Sequence, residues 1–404
     1  MIDVLEKTFS ATTPTMFDAL EPQPADALLA LIGLHRADPR PDKIDVGVGV
    51  YRDATGATPV FGAVKAAEAL LVRDQPTKAY LGAEGDARFT ELLSKIVLGP
   101  VLARSDRLTG VQTPGGTGAL RLGAELLARA GMTGRVWIGA PTWPNHAPIF
   151  TAARLTVASH PYYDAAISHL DFDGMVEALR SAARGDVVLL HGCCHNPTGT
   201  GFSIEQWAVL AQLFAEHGVV PFIDLAYQGL GDGLEQDAAG MRLMLDAVPQ
   251  ALIAYSCDKN FGLYRERVGA LWVQAPATAL VSTIRDNLLV LARSLWSMPP
   301  DHGAAVVRLI LEDPGLIDLW RAELDEMRTR IGQLRSALAA AHPRLGPIAG
   351  QRGMFAMLPI DRNAVDAMRE RHGIYMAGSG RINIAGLKTE TIIPFVESLT
   401  PFLG

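Results

Sequence analysis

Lys259 stands in the run Ala254-Tyr255-Ser256-Cys257-Asp258-Lys259-Asn260-Phe261-Gly262, with Arg265-Glu266-Arg267-Val268-Gly269 close behind. An amine at the end of an apolar run can be desolvated enough to shed its proton and act as a nucleophile. Ser256 and Arg267 add a hydroxyl and a guanidinium, and a guanidinium grips phosphate through paired charge-assisted hydrogen bonds. The plain alternative is a lysine beside a surface turn.

Three other stretches carry chemistry. Pro221-Phe222-Ile223-Asp224-Leu225-Ala226-Tyr227 puts a carboxylate at the end of an apolar run, where it costs free energy unless it meets a cation. A protonated pyridine nitrogen is such a cation; an ordinary salt bridge is the alternative. With Lys259 and the phosphate grip, this points to pyridoxal phosphate held through the lysine. Gln112-Thr113-Pro114-Gly115-Gly116-Thr117-Gly118 opens a helix at Ala119–Ala130, and free amides at a helix start make an anion site. The run matches neither the dinucleotide nor the P-loop pattern, which weakens nicotinamide and ATP readings. His191-Gly192-Cys193-Cys194-His195-Asn196-Pro197 invites a metal, yet adjacent cysteines bind one tetrahedral ion poorly and no second ligand pair follows at finger spacing, so no metal is expected.

The elements that must position these residues alternate. Short apolar runs at Val136–Gly139, Leu155–Ser159, Val187–Leu190, Val219–Ile223, Leu252–Tyr255 and Ala270–Val273 read as strands. Helical patterns at Val64–Arg73, Ala87–Val97, Asp173–Ala182 and Ile204–His217 read as their covers. Near-continuous apolar strands between helices imply an α/β, doubly wound sheet, whose ligands bind beyond the strands' carboxyl ends. Beyond Ala275 the chain turns mostly helical, with a long segment around Ile317–Ala341. After Gly346 short strands and helices resume. We therefore expect an N-terminal arm and part of a small domain over 1–60, a large domain over 61–326 and a small C-terminal α/β domain over 327–404. A short helix is expected at Asp26–His35, preceded by a loose arm over 1–24.

Of the 404 residues, 49% are hydrophobic and 20% charged, the balance of an ordinary globule. A net charge of -7 argues against nucleic acid as a partner. No apolar run is long enough to span a membrane, the start lacks a secretory pattern, and three cysteines make no disulfide framework, so a cytoplasmic setting is expected.

In this order, PGGTGALR, TWPNH, HGCCHNPTG, DLAYQG, KNFGLYRERVG and GRINIAG resemble the aspartate and aromatic amino-acid aminotransferases of fold-type I, class I. SCDKNFGLYRERVG, PPDHG and RGMF resemble the bacterial aromatic enzymes most. The resemblance implies a mixed, mostly parallel seven-stranded sheet between helices, plus a smaller α/β domain, pyridoxal phosphate as cofactor, and a homodimer with shared sites. It implies that Lys259 carries the cofactor and shuttles the proton, with Asp224 on the ring nitrogen and Asn196 and Tyr227 on the ring oxygen. Trp143 would stack on the ring. Gly116, Thr117, Ser256 and Arg267 would hold the phosphate, joined by Tyr80 from the other subunit. Arg381 would bind the substrate α-carboxylate beside Asn196 and the backbone at Gly49, and Arg293 would reach across the dimer to a distal carboxylate. His146 and His191 would support Asp224 and the ring. The implied activity moves amino groups from tyrosine, phenylalanine and aspartate to 2-oxoglutarate.

Three positions depart from the pattern. Cys257 and Met298 favour a site tolerant of apolar substrates. Asp258 stands where relatives usually carry serine. At about 5 Å and an effective dielectric near 20, a carboxylate and each phosphate charge would repel by roughly 3 kcal/mol. Either Asp258 points away, toward Arg265, or Arg267 and the helix end at Thr117 offset its charge; neighbouring residues of an extended segment point to opposite sides and Lys259 must face the ring, so the first is expected. The competing readings are an aspartate aminotransferase proper, a lyase on the same fold, and a non-catalytic module. The last is disfavoured by the retained Lys259, the lyase by Arg293 and Arg381 together.

Overall fold

Strands whose every residue is buried form the middle of the molecule: Val187–His191, Val220–Leu225, Ala251–Ser256 and Val268–Gln274. A computed structural model describes residues 16–23 and 27–403. The expected arm over 1–24 falls mostly outside the described residues; Met16–Ala19 is a short 3-10 turn. The helix expected at Asp26–His35 runs Ala27–Ala37.

The main sheet has seven strands. Across it they run Leu108–Pro114, Val268–Gln274, Ala251–Ser256, Val220–Leu225, Val187–His191, Arg135–Ala140 and Thr156–Pro161. Val268–Gln274 is antiparallel to both neighbours; every other pairing is parallel. This orientation gathers the chemistry at one edge. The carboxyl ends of six strands, and the amino end of the reversed one, all lie there. Register places His191 beside Asp224, Leu225 beside Tyr255, Ser256 beside Gly269, and Val268 beside Pro114. Alternate side chains feed two apolar cores, one per face: Phe222 and Leu252 enter one, Ile223 and Ile253 the other.

Leu108–Pro114 was not legible as a strand. Its sequence is poor in apolar residues, and its place is set by neighbours: Gly110 lies under Trp272, and buried Gln112 accepts from Asp86 N and donates to Pro300 O. The following helix begins at Gly115 rather than Ala119, and runs to Arg129. Its glycines are there for room: a Cβ at Gly118 would come 2.7 Å from Pro114 Cδ.

The covering helices are well punctuated. Ile204–His217 starts in a Ser203/Gln206 capping box and stops at left-handed Gly218. Asp313 caps the 28-residue helix Pro314–Ala341, which runs unbroken through the expected boundary at 326/327. An early segment and a late one meet in a small parallel pair, Ile44–Asp45 with Ile374–Tyr375, while Phe355–Met357 pairs antiparallel with Arg381–Asn383. Asn383 Nδ2 donates to Val48 O and Val50 O, both at 2.7 Å, and so fixes the glycine-bearing segment against the C-terminal strands. Among the described residues, no helix is long and apolar enough to cross a membrane.

Candidate active site

Lys259 follows the strand Ala251–Ser256 in a turn, so its side chain enters a cleft of about 150 Å³ at the carboxyl edge of the sheet. Gly116, Trp143, Asn196, Asp224, Tyr227 and Arg267 line the same cleft. The lysine side chain is only 18% exposed. Burial lowers its pKa; Asp258 and Asp224 oppose this, and Arg267 adds to it. Its Nζ stands 5.3 Å from the Tyr227 ring centroid. The amine is therefore more readily deprotonated than an exposed lysine.

Asp224, next to the last residue of its strand, is buried. Burial pushes its pKa up, but the hydrogen bond with His146, helped by the Lys259 charge, outweighs this, holding the carboxyl below its ordinary range. An ionised carboxylate only accepts, so His146 Nε2 donates to Asp224 Oδ2, at 3.0 Å. The other imidazole nitrogen lies 2.8 Å from Thr142 Oγ1, which sequence reasoning did not single out. His191 packs against His146 at 5.1 Å between centroids; burial and His146 push its pKa down to about 3 against the pull of Asp224. His195, stacked on Tyr162 at 3.8 Å, is also lowered, chiefly by burial. His146, His191 and Asp224 bring metal-ligand atoms together, but His146 and Asp224 already bond each other.

Tyr227 and Asn196 form the middle of the cleft. Burial raises the Tyr227 phenol, with Asp224 adding, and Asn196 Nδ2 donates to its Oη at 3.5 Å. The phenol thus stays protonated and can donate. Trp143 is half-buried and meets His146 edge to face.

One end of the cleft is built for an anion. The helix Gly115–Arg129 aims its first amides here, beside Ser256 and Arg267. The backbone approaches closely: at left-handed Gly115 a Cβ would come 2.6 Å from Arg267 Nη2, and one at Gly116 would come 3.1 Å from Ser256 Cβ. Arg267 is itself fixed by donating to Tyr264 O at 3.1 Å, and Tyr264 Oη accepts from Tyr51 N. Sequence reasoning missed Tyr264, whose hydroxyl is held by Tyr51, distant in the chain.

For Asp258 the structure shows the alternative, the contact with Arg267, and not the orientation expected. It does not turn toward Arg265; its Oδ2 accepts from Arg267 Nη1 at 2.5 Å and lies 3.8 Å from Lys259 Nζ. Residues 258–260 form a turn, not an extended segment, so strand alternation does not apply.

Arg381 stands beside the cleft and reaches it through Asn196. Burial lowers its pKa, Tyr227 opposes, and its guanidinium lies 4.6 Å from the Phe355 ring centroid. Arg381 donates to Gly47 O at 3.0 Å and Asn196 Oδ1 at 3.4 Å, while its buried Nε has no partner among the described residues. The carbonyl it uses belongs to Gly47; Gly49 lies against Phe355, where a Cβ would come within 3.0 Å of Cζ. Phe355, in the RGMF run, is thus a platform that the sequence reading did not assign. Tyr80 and Arg293 do not line this cleft. Tyr80 is 93% exposed, and Arg293, also exposed, donates to Ser297 Oγ.

Residues 41–399 match the family described as aminotransferase class I and II. Over 378 residues the chain is 56% identical to a tyrosine aminotransferase of Rhizobium meliloti (strain 1021), covering 93% of this chain and 97% of the relative. It is 42% identical over 396 residues to an aspartate aminotransferase of Escherichia coli (strain K12), covering 96% and 100%. The solved aromatic-amino-acid aminotransferase of Burkholderia pseudomallei, covalently bound to pyridoxal phosphate, superposes with a TM-score of 0.93 at 37% identity, covering 97% of this chain and all of that one.

Proposed function

Since the chain belongs to the class I and II aminotransferase family, we propose that it moves the amino group of tyrosine, phenylalanine and aspartate to 2-oxoglutarate. The observation that carries this reading is the convergence of Lys259, Asp224, Arg267 and Arg381 around one cleft. An amine, a carboxylate and two guanidiniums in and beside one cleft would suit a phosphate-bearing ring and a planar carboxylate.

The cleft fits pyridoxal phosphate on its own chemistry. A crowded glycine cradle at Gly115 and Gly116 leaves room for an anion that a Cβ would take. A buried, ionised Asp224 asks for a cation, and the orphaned Nε of Arg381 asks for an acceptor. Pyridoxal phosphate, when bound, supplies the electron sink that stabilises the charge left by removal of a weakly acidic α-proton.

The chain's residues do the rest. Gly116, Thr117, Ser256 and Arg267 would hold the phosphate, and Trp143 would cover a ring face. Asp224, oriented by His146, keeps a proton on the ring nitrogen. Asn196 and Tyr227 would hydrogen-bond the ring oxygen. Lys259 Nζ takes the proton from the substrate α-carbon and returns it elsewhere; its lowered pKa suits a base. Arg381 fixes the α-carboxylate as a rigid, bidentate fork, and Asn196 and the segment holding Gly47 and Gly49 orient it.

Tyr80 and Arg293 point out of this chain's own cleft, so we assign them to the partner subunit's site in a homodimer: Tyr80 to its phosphate, Arg293 to the distal carboxylate of aspartate or glutamate. We read 61–326 as the large domain and 1–60 with 327–404 as the smaller one, supported by the pairing of Ile44–Asp45 with Ile374–Tyr375. All three cysteines are free, which suits a cytoplasmic setting. An aspartate aminotransferase proper is the second reading, favoured by Arg293. Steady-state kinetics with 2-oxoglutarate separates them: tyrosine and phenylalanine should give kcat/KM at least comparable to aspartate, and turnover of aspartate alone would overturn the aromatic assignment.

A further inference from the structure

The grip assigned to the phosphate already holds an anion of the chain's own. Asp258 Oδ2 stands 2.5 Å from Arg267 Nη1 and 3.8 Å from Lys259 Nζ. The residue is 5% exposed and lines the same cleft as Gly116, Thr117, Ser256 and Arg267. Its second oxygen, Oδ1, is buried and has no hydrogen-bond partner among the described residues. The backbone amide of Asp258 donates to Ser256 Oγ, tying the carboxylate to the strand end. The charged and titratable groups around it are Arg267 and Lys259, with Asp224 beyond the lysine and Cys257 and Tyr264 on the flanking segments.

A phosphate ester held here must share Arg267 with Asp258. Apart, both groups are anionic at neutral pH, the phosphate losing its second proton near pH 6. Two acidic groups forced together do not both remain ionised; one keeps a proton, and the pair titrates as a unit. A protonated carboxyl donates one hydrogen bond, and Oδ1 is the oxygen left free to do so.

Resting on the cofactor reading above, we propose that Asp258 and the bound phosphate share one proton taken from solvent, Asp258 acting as a hydrogen-bond donor to the phosphate rather than as its competitor. The only covalent change is one O–H bond formed as the cofactor enters and broken as it leaves. Cofactor affinity is then coupled to pH through this position. It is full below about pH 6, where the free phosphate already carries the proton, and falls as pH rises until the shared proton is lost.

The test uses the full chain in a Lys259→Ala background, which removes the neighbouring amine, and pyridoxamine 5'-phosphate, which has the phosphate but no aldehyde. Binding is followed by calorimetry near pH 8 in buffers of different ionisation enthalpy, which counts protons, and the dissociation constant is followed with pH. Asn in place of Asp258 imitates the protonated acid without titrating. Lys259→Ala should take up about one more proton per ligand than Lys259→Ala/Asp258→Asn. Its dissociation constant should climb about tenfold more per pH unit above roughly pH 6. Protonation of the ring nitrogen is common to both chains and cancels. Asp258→Ser in the same background should count protons as the Asn variant does, and replaces it if the Asn chain fails to fold. Equal proton counts with and without Asp258 would overturn the proposal. If the parent background binds no pyridoxamine 5'-phosphate, the cofactor reading itself fails, and this inference with it.

Discussion

His146 Nε2 lies 3.0 Å from Asp224 Oδ2, and both side chains are buried. The imidazole therefore fixes the rotamer of the carboxylate and satisfies one of its oxygens, leaving the other for a partner in the cleft. A buried carboxylate held in this way is a fixed negative potential, at no reorganisation cost when charge develops nearby. Thr142, bonded to the far side of the ring, locks the imidazole in turn.

Asp224→Asn keeps the shape and removes the charge. We expect kcat to fall by about 10²–10³-fold for every amino acid donor. His146→Phe should cost less and should shift the pH profile of kcat, because the carboxylate loses its main stabilising donor. An Asp224→Asn chain with parental kcat would show that no cation is held there.

Acid stability should report the buried histidines. His191, pushed down to about 3 in the folded chain, has an ordinary unfolded value near 6.5. Between these values the unfolded chain binds the extra proton, so stability is complete above about pH 6.5 and is lost as pH falls toward 3. His195 shifts in the same direction and stays in both chains compared. His191→Asn should therefore lose less stability than the parent between about pH 7.5 and pH 4.5, the difference being on the order of 2 kcal/mol in urea unfolding. Parallel losses would place the acid sensitivity elsewhere.

Arg381 and Arg293 should divide the substrate. Arg381→Leu should impair every amino acid, whereas Arg293→Leu should impair aspartate and glutamate far more than phenylalanine. Removing one partner of a desolvated charge pair costs about 2–5 kcal/mol, or roughly 30- to several-thousand-fold in kcat/KM. Mixing Lys259→Ala with Arg293→Leu chains should restore about a quarter of the parental aspartate activity, since half the dimers are then mixed and each has one intact site. Equal losses on aspartate and phenylalanine, or no recovery on mixing, would contradict the assignment.

The sequence carried the fold's architecture and the residues that meet in the cleft, but not every element or contact around them. Lys259 and Asp224 were readable because charged groups at the ends of apolar runs are costly without a purpose. The strands around them were readable because burial on both faces makes them continuously apolar. Leu108–Pro114 was not, because Gln112 and Thr113 are buried through long-range hydrogen bonds and register rather than through hydrophobicity. Asp258 was misplaced because a turn replaces the extended backbone on which the argument relied. Phe355 and the Tyr264 hydroxyl act through partners far away in the chain, contacts that leave no local pattern, and Thr142 acts through a side-chain contact within a turn that no periodicity marks.

The central claim is that Lys259 is the covalent anchor of the cofactor. Borohydride reduction of the loaded protein, followed by tryptic peptide mapping, tests it most directly. We predict one phosphopyridoxyl adduct in the peptide spanning residues 243–265, on Lys259, with cleavage blocked at that residue, and no adduct in Lys259→Ala. An adduct on another lysine, or an undiminished adduct in the Lys259→Ala chain, would contradict the account.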